Sequence, residues 1–218
     1  MALFRAAVVI IFGLLPAGIF FFWSMHGCRF WLIDPPTSLH IGDGMRPLWN
    51  LCIFCLFGMM HTALAELGVN RLLYIIIAGI TSSSVIWLWQ PLDGVLWQVG
   101  DDHVAWWFGT VQFVLWLIMH SWTISQMGIP EFFGFREPRK ELVTGGPYAF
   151  CRHPMHLNIL VSLLVTPAMT ADRFTMLLAV SLYLAVAIPA EESRLAEMFG
   201  LDWRRYKNKT AMLLPGVF

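Results

Sequence analysis

The sequence predicts an all-α integral membrane protein of about six transmembrane helices, with a C-terminal helical hairpin followed by a cytoplasmic amphipathic helix. Only 13% of the 218 residues are charged and 58% are hydrophobic, whereas soluble domains carry about 25% charged residues. Mean hydropathy is +0.66. The apolar residues gather in runs of roughly 17–25, the length a bilayer demands of a helix. Strand signals and internal repeats are absent, so no open nucleotide-binding sheet can be built. The 14 basic and 14 acidic residues balance, and no basic face points to nucleic acid.

The first run covers about Ala6 to Trp23, with Pro16 as a kink. One Arg precedes it and no small-residue cleavage site closes it, so an uncleaved helix fits better than a signal peptide. A polar connector, His26 to Arg46, holds Asp34, Pro35, Pro36 and Asp43 and reads as a loop. The second run, about Pro47 to Ala65, starts with proline in a favourable helix-start position. The third, about Arg71 to Trp89, ends at Gln90-Pro91, and the fourth runs from about Val104 to Ile124 after an acidic loop with Asp93, Asp101 and Asp102. A connector over Gln126 to Arg152 leads into two apolar arms, about Met155 to Val165 and about Phe174 to Ile188, with TPAMTADR as the turn between them. The first arm is short for a span. From Glu191 to Tyr206, Leu195, Met198, Phe199, Asp202, Trp203 and Tyr206 recur at three- and four-residue steps, giving an amphipathic helix broken near Gly200. The chain is thus one membrane domain, a four-helix part over 1–126 and a cofactor-binding part over 127–218.

Lys and Arg set the orientation. They concentrate in the connector before the hairpin (Arg136, Arg139, Lys140, Arg152) and in the tail (Arg194, Arg204, Arg205, Lys207, Lys209). The acidic loop has none. Both termini are therefore expected in the cytoplasm, against which Arg29 and Arg46 count, balanced by Asp34 and Asp43. Tryptophans such as Trp87, Trp89, Trp97 and Trp203 fall near run boundaries, as aromatic belts require. Cys52 and Cys55 form a C-x-x-C inside an apolar run with no second pair, which reads as two buried residues on one helix face. No metal ligand set or disulfide is expected.

The candidate site is LVTGGPYAFCRHPMHLN, Leu142 to Asn158, a polar island before the hairpin. Unsatisfied polar groups beside hydrocarbon cost several kcal/mol each, so this stretch must face ligand, protein or water. Gly145-Gly146-Pro147-Tyr148 is a tight turn able to present backbone groups. Arg152, His153, Pro154 and His156 begin a helix whose free amides suit an anion; the plainer alternative is an Arg and two histidines at the headgroups. Glu191-Glu192 is either the solvated end of a span or a working pair. In the second case one carboxylate holds a cofactor's ammonium or ribose and the other pairs with Arg152 or Arg194. His61 and His120 on apolar helices are commonly packing residues, but both fall at the depth of Arg152 and Glu191, which favours His61.

The order GGPY, RHP, helical hairpin, EE and FG-x-x-W-x-x-Y resembles the isoprenylcysteine carboxyl methyltransferase and phospholipid methyltransferase superfamily, most of all its NnrU, nurim and methanethiol S-methyltransferase branch. LFGMMHTALA is similar to a Q-H-S segment there, with Met60 in place of Gln, and WQPLDGVLW and TPAMTADRFTMLLAVSLYLAVA extend the likeness from about Phe54 to Pro215. The resemblance implies S-adenosyl-L-methionine as cofactor, in a cytoplasm-facing pocket of Gly146, Pro147, Tyr148, His153, Pro154, Glu191, Glu192 and Tyr206. It implies a small thiol or other lipophilic acceptor, with isoprenylcysteine or lipid methylation, or a non-enzymatic nurim-like role, as alternatives. His156 and Asn158 depart from the commoner H-P-x-Y-x-G pattern and mark the acceptor side. A thiol must ionise to attack, so His156, His61 or Glu192 is the candidate base and Arg152 the candidate anion partner.

Overall fold

Hydrocarbon cannot satisfy backbone groups, so the chain buries them in helices wherever it is apolar. The structure, a computed structural model, describes residues 2–26, 28, 41–137 and 140–214. Helix α1 (Ala2–Val8) passes through a π-helical stretch (Val9–Leu14) into α2 (Leu15–Met25). Then come α3 (Arg46–Glu66), α4 (Arg71–Leu88), β1 (Val95–Gln98), α5 (Asp102–Met127), the single turn α6 (Ile129–Phe132), a 3-10 turn (Gly146–Ala149), α7 (Pro154–Leu164), β2 (Ala168–Thr170) and α8 (Ala171–Lys207). The sequence writes several of the starts. Asn70 accepts from Leu72 N at 2.9 Å, Asp101 from Val104 N at 3.0 Å and Thr170 from Arg173 N at 3.1 Å, each satisfying a free helix-start amide.

Among the described residues, five helices are long and apolar enough to cross a membrane. The sixth run, α7, has 11 residues, about 16 Å of helix against about 30 Å of hydrocarbon. Its helix begins at Pro154 because the preceding nine residues are taken up by the polar turn. The expected hairpin arm and amphipathic helix are one continuous helix, α8, of 37 residues that carries Pro189 inside it. The backbone leaves helical geometry at Gly200, with φ 51°, where the sequence placed its break. Two short strands are a further departure: β1 and β2 pair antiparallel, Val95 with Thr170 and Gln98 with Ala168. Part of the expected TPAMTADR turn is therefore a strand, too short to show alternation. Most of the connector His26 to Arg46, with Arg29, Asp34, Pro35 and Pro36, lies outside the described residues, as do Arg139 and Pro215.

Helix direction alternates, so the chain segments 127–137, 140–154 and 189–214 meet at one end of the bundle and 89–101 and 165–171 at the other. α8 packs on α3 and α7, α5 on α7 and α2, and α4 on α3 and the π-helical stretch. The core joins Phe20, Trp23, Phe54, Trp89, Leu163, Met176 and Leu184, with Trp23 and Trp89 edge to face at 5.4 Å. Trp89 and Trp203 are thus buried rather than belt residues. Cys52 faces outward and Cys55 is half-buried, so they are not the buried pair that the spacing suggested. At the end remote from the polar island, buried Arg173 donates to the carbonyls of Met25 (2.7 Å) and Leu163 (3.0 Å) and to Gln112 Oε1 (2.9 Å). Next to it, buried Asp172 accepts from Trp89 Nε1 (2.8 Å) and Leu92 N (3.1 Å). These bonds join α2, α5, α7 and α8 where the chain turns.

Pro16 has no N–H to give the carbonyl of Phe12, four residues back, and the helix widens there into its π-helical stretch. That carbonyl faces Gly79 of α4, where an added Cβ would lie 1.9 Å from the Phe12 oxygen. Gly79→Ala is therefore expected to separate the π-helical stretch from α4 and cost about 1–3 kcal/mol. Gly18→Ala, with nothing within 4 Å of its added Cβ, should be neutral or stabilise by about 0.5–1 kcal/mol. Thermal unfolding of both variants in detergent checks the contrast; equal melting temperatures would contradict it.

Candidate active site

The polar island opens with a turn that only glycine makes cheaply. Gly146 has φ +59°, and a Cβ there would come within 3.0 Å of the Gln126 side chain from the end of α5. The 3-10 turn Gly146–Ala149 follows and is pinned from α8: Tyr206 Oη donates to the Tyr148 carbonyl at 2.7 Å. Burial, and next the Glu191 carboxylate, push the Tyr148 phenol well above its ordinary range, so it stays a neutral donor. Burial also raises the Cys151 thiol, partly opposed by the backbone of His153, which leaves it an unreactive packing residue.

After the turn the chain runs extended through Cys151, Arg152 and His153, and the tail returns beside it. Arg152 N donates to the Ala211 carbonyl at 2.9 Å and His153 N to the Met212 carbonyl at 3.2 Å. This satisfies the island's backbone before Pro154 starts α7. The side chains then converge on α8. Glu192 Oε1 accepts from Arg152 Nε at 2.8 Å and lies 3.3 Å from His153 Nε2, while Oε2 accepts from Lys207 Nζ at 2.6 Å. Arg152 also donates to the carbonyls of Lys207 (3.2 Å) and Thr210. One carboxylate thus gathers the Arg-His-Pro segment, α8 and the tail, with the Arg152 and Glu192 side chains 8% and 9% exposed.

Glu191, one residue earlier, has a different setting. Its carboxylate lies 3.5 Å from His153 Nδ1 and is 38% exposed. The rings of His153 and His156 stack at 5.5 Å, and His156 Nδ1 is closed off from solvent with no hydrogen-bond partner. His156 also lies close enough to His61 and His120 to act on both electrostatically. His61 Nε2 is 2.5 Å from Tyr74 Oη, and its Nδ1 is buried without a partner. On the other side the Asn158 amide donates to His120 Nδ1 at 3.0 Å.

The structure therefore brings Gly146, Pro147, Tyr148, Arg152, His153, Pro154, His156, Glu191, Glu192 and Tyr206 to one end of the bundle, with His61 behind His156. Of the two partners weighed for the Glu pair, Arg152 holds Glu192, whereas Arg194 donates to the Ala65 carbonyl at 3.2 Å. Arg152 and Glu192 neutralise each other, so neither is placed as a free anion partner or a free base. In sequence Lys207 is part of a basic tail; no spacing rule pairs residue 207 with 192 across the Gly200 bend. The contact of His120 with Asn158 comes from the packing of α5 on α7, which sequence periodicity does not register.

Removing Glu192 leaves Arg152 buried without its counter-charge, and breaking such a pair costs about 3–5 kcal/mol. Glu192→Ala should lower stability by that order. Lys207→Ala, whose side chain is 49% exposed, should cost under about 1 kcal/mol. Chemical or thermal denaturation of the purified variants measures the ranking, and a larger loss in Lys207→Ala would refute it.

Comparison with known proteins agrees with this architecture. The phospholipid methyltransferase family matches residues 104–202, from α5 into the last turns of α8. Methanethiol S-methyltransferase 1 of Bradyrhizobium diazoefficiens is 28% identical over 84% of this chain and 71% of that protein. Methanethiol S-methyltransferase of Mycobacterium tuberculosis is 26% identical over 84% and 83%, and the nurim homolog of Drosophila melanogaster is 27% identical over 61% and 60%. No solved structure matches. The chain is thus similar to the phospholipid methyltransferase family over its C-terminal half and, over most of its length, to proteins named methanethiol S-methyltransferase and nurim.

Proposed function

We propose that the protein is an integral membrane methyltransferase that moves a methyl group from S-adenosyl-L-methionine to a small thiol such as methanethiol, giving dimethyl sulfide. The observation that carries this is the end-of-bundle surface that Glu192 holds together, on a chain whose relatives include proteins named methanethiol S-methyltransferase. The cofactor supplies a methyl on a sulfonium, already activated. What the protein must add is alignment of the nucleophile and exclusion of water.

The residues fit such a group. Gly146, Pro147 and Tyr148 form a tight turn whose Gly146 is exposed, with His153, Pro154 and Tyr206 at the same end of the bundle. Glu191 is a half-buried carboxylate without a guanidinium on it, suited to an ammonium or a ribose hydroxyl, whereas Glu192 is the clasp. Arg152 acts as a positioning residue through Glu192 and the tail carbonyls. For the thiol proton, His156 and His61 are the available bases, each with an unpartnered ring nitrogen. The site faces the cytoplasm on the distribution of Lys and Arg: Arg136, Lys140, Arg204, Arg205 and Lys209 lie at its end. At the other end Arg46 is paired with Asp43 at 2.9 Å and Arg173 is buried.

One observation favours a second reading, a lipid acceptor. Leu160, Leu184, Ile188, Pro189, Met212 and Leu213 line an apolar groove of about 230 Å³ between α7, α8 and the tail. Met212 bonds to His153, so the groove adjoins the site.

Purified protein should bind S-adenosyl-L-methionine and release dimethyl sulfide into the headspace when given methanethiol. His156→Ala should keep cofactor binding and lose about 10²–10⁴ in turnover. Cofactor binding without dimethyl sulfide would shift the assignment to a lipid acceptor. No cofactor binding would mean a non-enzymatic membrane protein.

A further inference from the structure

We infer that His153, His156 and Glu191 form a binding site for a single transition-metal ion of the zinc class, with its fourth coordination position open to a thiol. The inference rests on the thiol methyltransferase reading and reassigns three residues in it: His156 becomes a ligand rather than a base, and His153 and Glu191 hold the ion rather than the cofactor.

The geometry comes first. One ligand atom from each of the three residues lies within 4.8 Å of the other two. Zinc binds imidazole nitrogen and carboxylate oxygen at about 2.0–2.2 Å, so two ligands of a tetrahedral ion stand about 3.4 Å apart. His153 Nδ1 and the Glu191 carboxylate already stand 3.5 Å apart, and a small shift of the His156 ring completes the triangle. Two imidazoles and one carboxylate, with one position left over, is a ligand set of zinc sites that do chemistry, whereas structural sites close all four positions.

Each donor is also prepared for the role. A metal-bound histidine characteristically gives its second ring N–H to a carboxylate, which fixes the tautomer and turns the lone pair toward the ion. His153 has that arrangement: Nε2 lies 3.3 Å from Glu192 Oε1, which leaves Nδ1 facing Glu191. Glu192 is itself held by Arg152 and Lys207, so it orients His153 and is not free to bind the ion. His156 Nδ1 is shut off from solvent without a partner, an arrangement that costs stability in a protein interior. A metal ion in the triangle removes that cost. Glu191, 38% exposed, leaves the position reachable by a small molecule.

The chemistry follows from what the ion does to sulfur. A thiol bound to zinc is deprotonated outright, so the S–H bond breaks at the metal and the proton is released to solvent. The sulfur lone pair then forms the new S–CH₃ bond as the methyl–sulfonium bond breaks. The products are the methyl thioether and S-adenosylhomocysteine, and the donor's positive charge leaves with the released proton. No oxidant or reductant enters. With His153 and Glu191 on the ion, Gly146, Pro147, Tyr148, Pro154 and Tyr206 remain as the cofactor's walls. The cysteines take no part, so the C-x-x-C that drew attention in the sequence is unrelated to this site.

The test uses the full chain, purified in detergent, stripped with a chelator and titrated with Co²⁺ alone. The inference expects one Co²⁺ per chain with the intense visible absorption of a four-coordinate site. Addition of ethanethiol should produce a sulfur-to-cobalt charge-transfer band. His156→Gln and Glu191→Gln should weaken binding at least about 100-fold, and Glu192→Gln about 10–100-fold. His103→Ala, exposed at the start of α5, should bind as the unaltered chain does. Melting curves of the stripped variants separate lost binding from lost fold. No stoichiometric Co²⁺, a six-coordinate spectrum, or unchanged affinity in both ligand variants overturns the inference. Methyl transfer by the stripped chain at full rate would overturn it while leaving the thiol methyltransferase reading intact. Stoichiometric Co²⁺ and a thiolate band without cofactor binding would support the site and refute that reading.

Discussion

The end of the bundle that holds the candidate site depends on one carboxylate. Glu192 takes Arg152 Nε and Lys207 Nζ and lies against His153 Nε2, so three chain segments separated by up to 55 positions are tied at one point. The free energy that holds this together is less that of the ion pair than that of its absence. Arg152 is nearly shut off from water, and without Glu192 its charge would have to be solvated by opening the tail from the island. The adjacent Glu191 stands outside the Arg152 and Lys207 clasp and faces His153 Nδ1 at 3.5 Å. Two neighbouring carboxylates in one helix thereby take opposite roles, one structural and one facing the site.

The same demand, that no polar group be left beside hydrocarbon, shapes the rest of the fold. The described irregular backbone is confined to the two ends. At one end the island and tail satisfy each other by the Cys151–Ala211 bridge and its neighbours. At the other the β1–β2 ribbon and the buried Arg173 and Asp172 do so. Arg173 is the mirror of Glu192: a single buried charge whose donors reach carbonyls on α2 and α7 and fix where helices turn. Between the ends glycine permits close approach of helices, as at Gly79 against Phe12 and at Gly58, where a Cβ would meet the Tyr183 ring at 2.4 Å.

Hydropathy made the four N-terminal runs and their order legible, because the length of an apolar run is a one-dimensional property. It could not register that α7 is half a span or that α8 continues through Pro189. Both depend on what packs alongside: in a bundle a proline's lost bond is made good by neighbours, so Pro189 does not stop the helix. The strands escaped notice because three or four residues cannot display a period. Within the site, adjacency in sequence was informative. Arg152, His153 and His156 read as one unit, and Glu191-Glu192 as another, and the fold joins them. Which carboxylate meets Arg152, and that Lys207 and His120 belong nearby, follow from helix rotation and from the return of the tail past Gly200.

The position of the candidate site follows from the helices around it. His156, His61 and His120 come from α7, α3 and α5, and His156 also shares a cluster with His153 and Glu191. Histidines from three helices and the Glu pair of α8 thus converge on the Arg-His-Pro segment. A short α7 serves that arrangement. By starting only at Pro154 it leaves Arg152 and His153 outside the helix, with backbone bonded to the tail and side chains at the Glu pair. A full-length span in its place would turn those amides back into the helix, and the bonds from Arg152 and His153 to the tail would be lost.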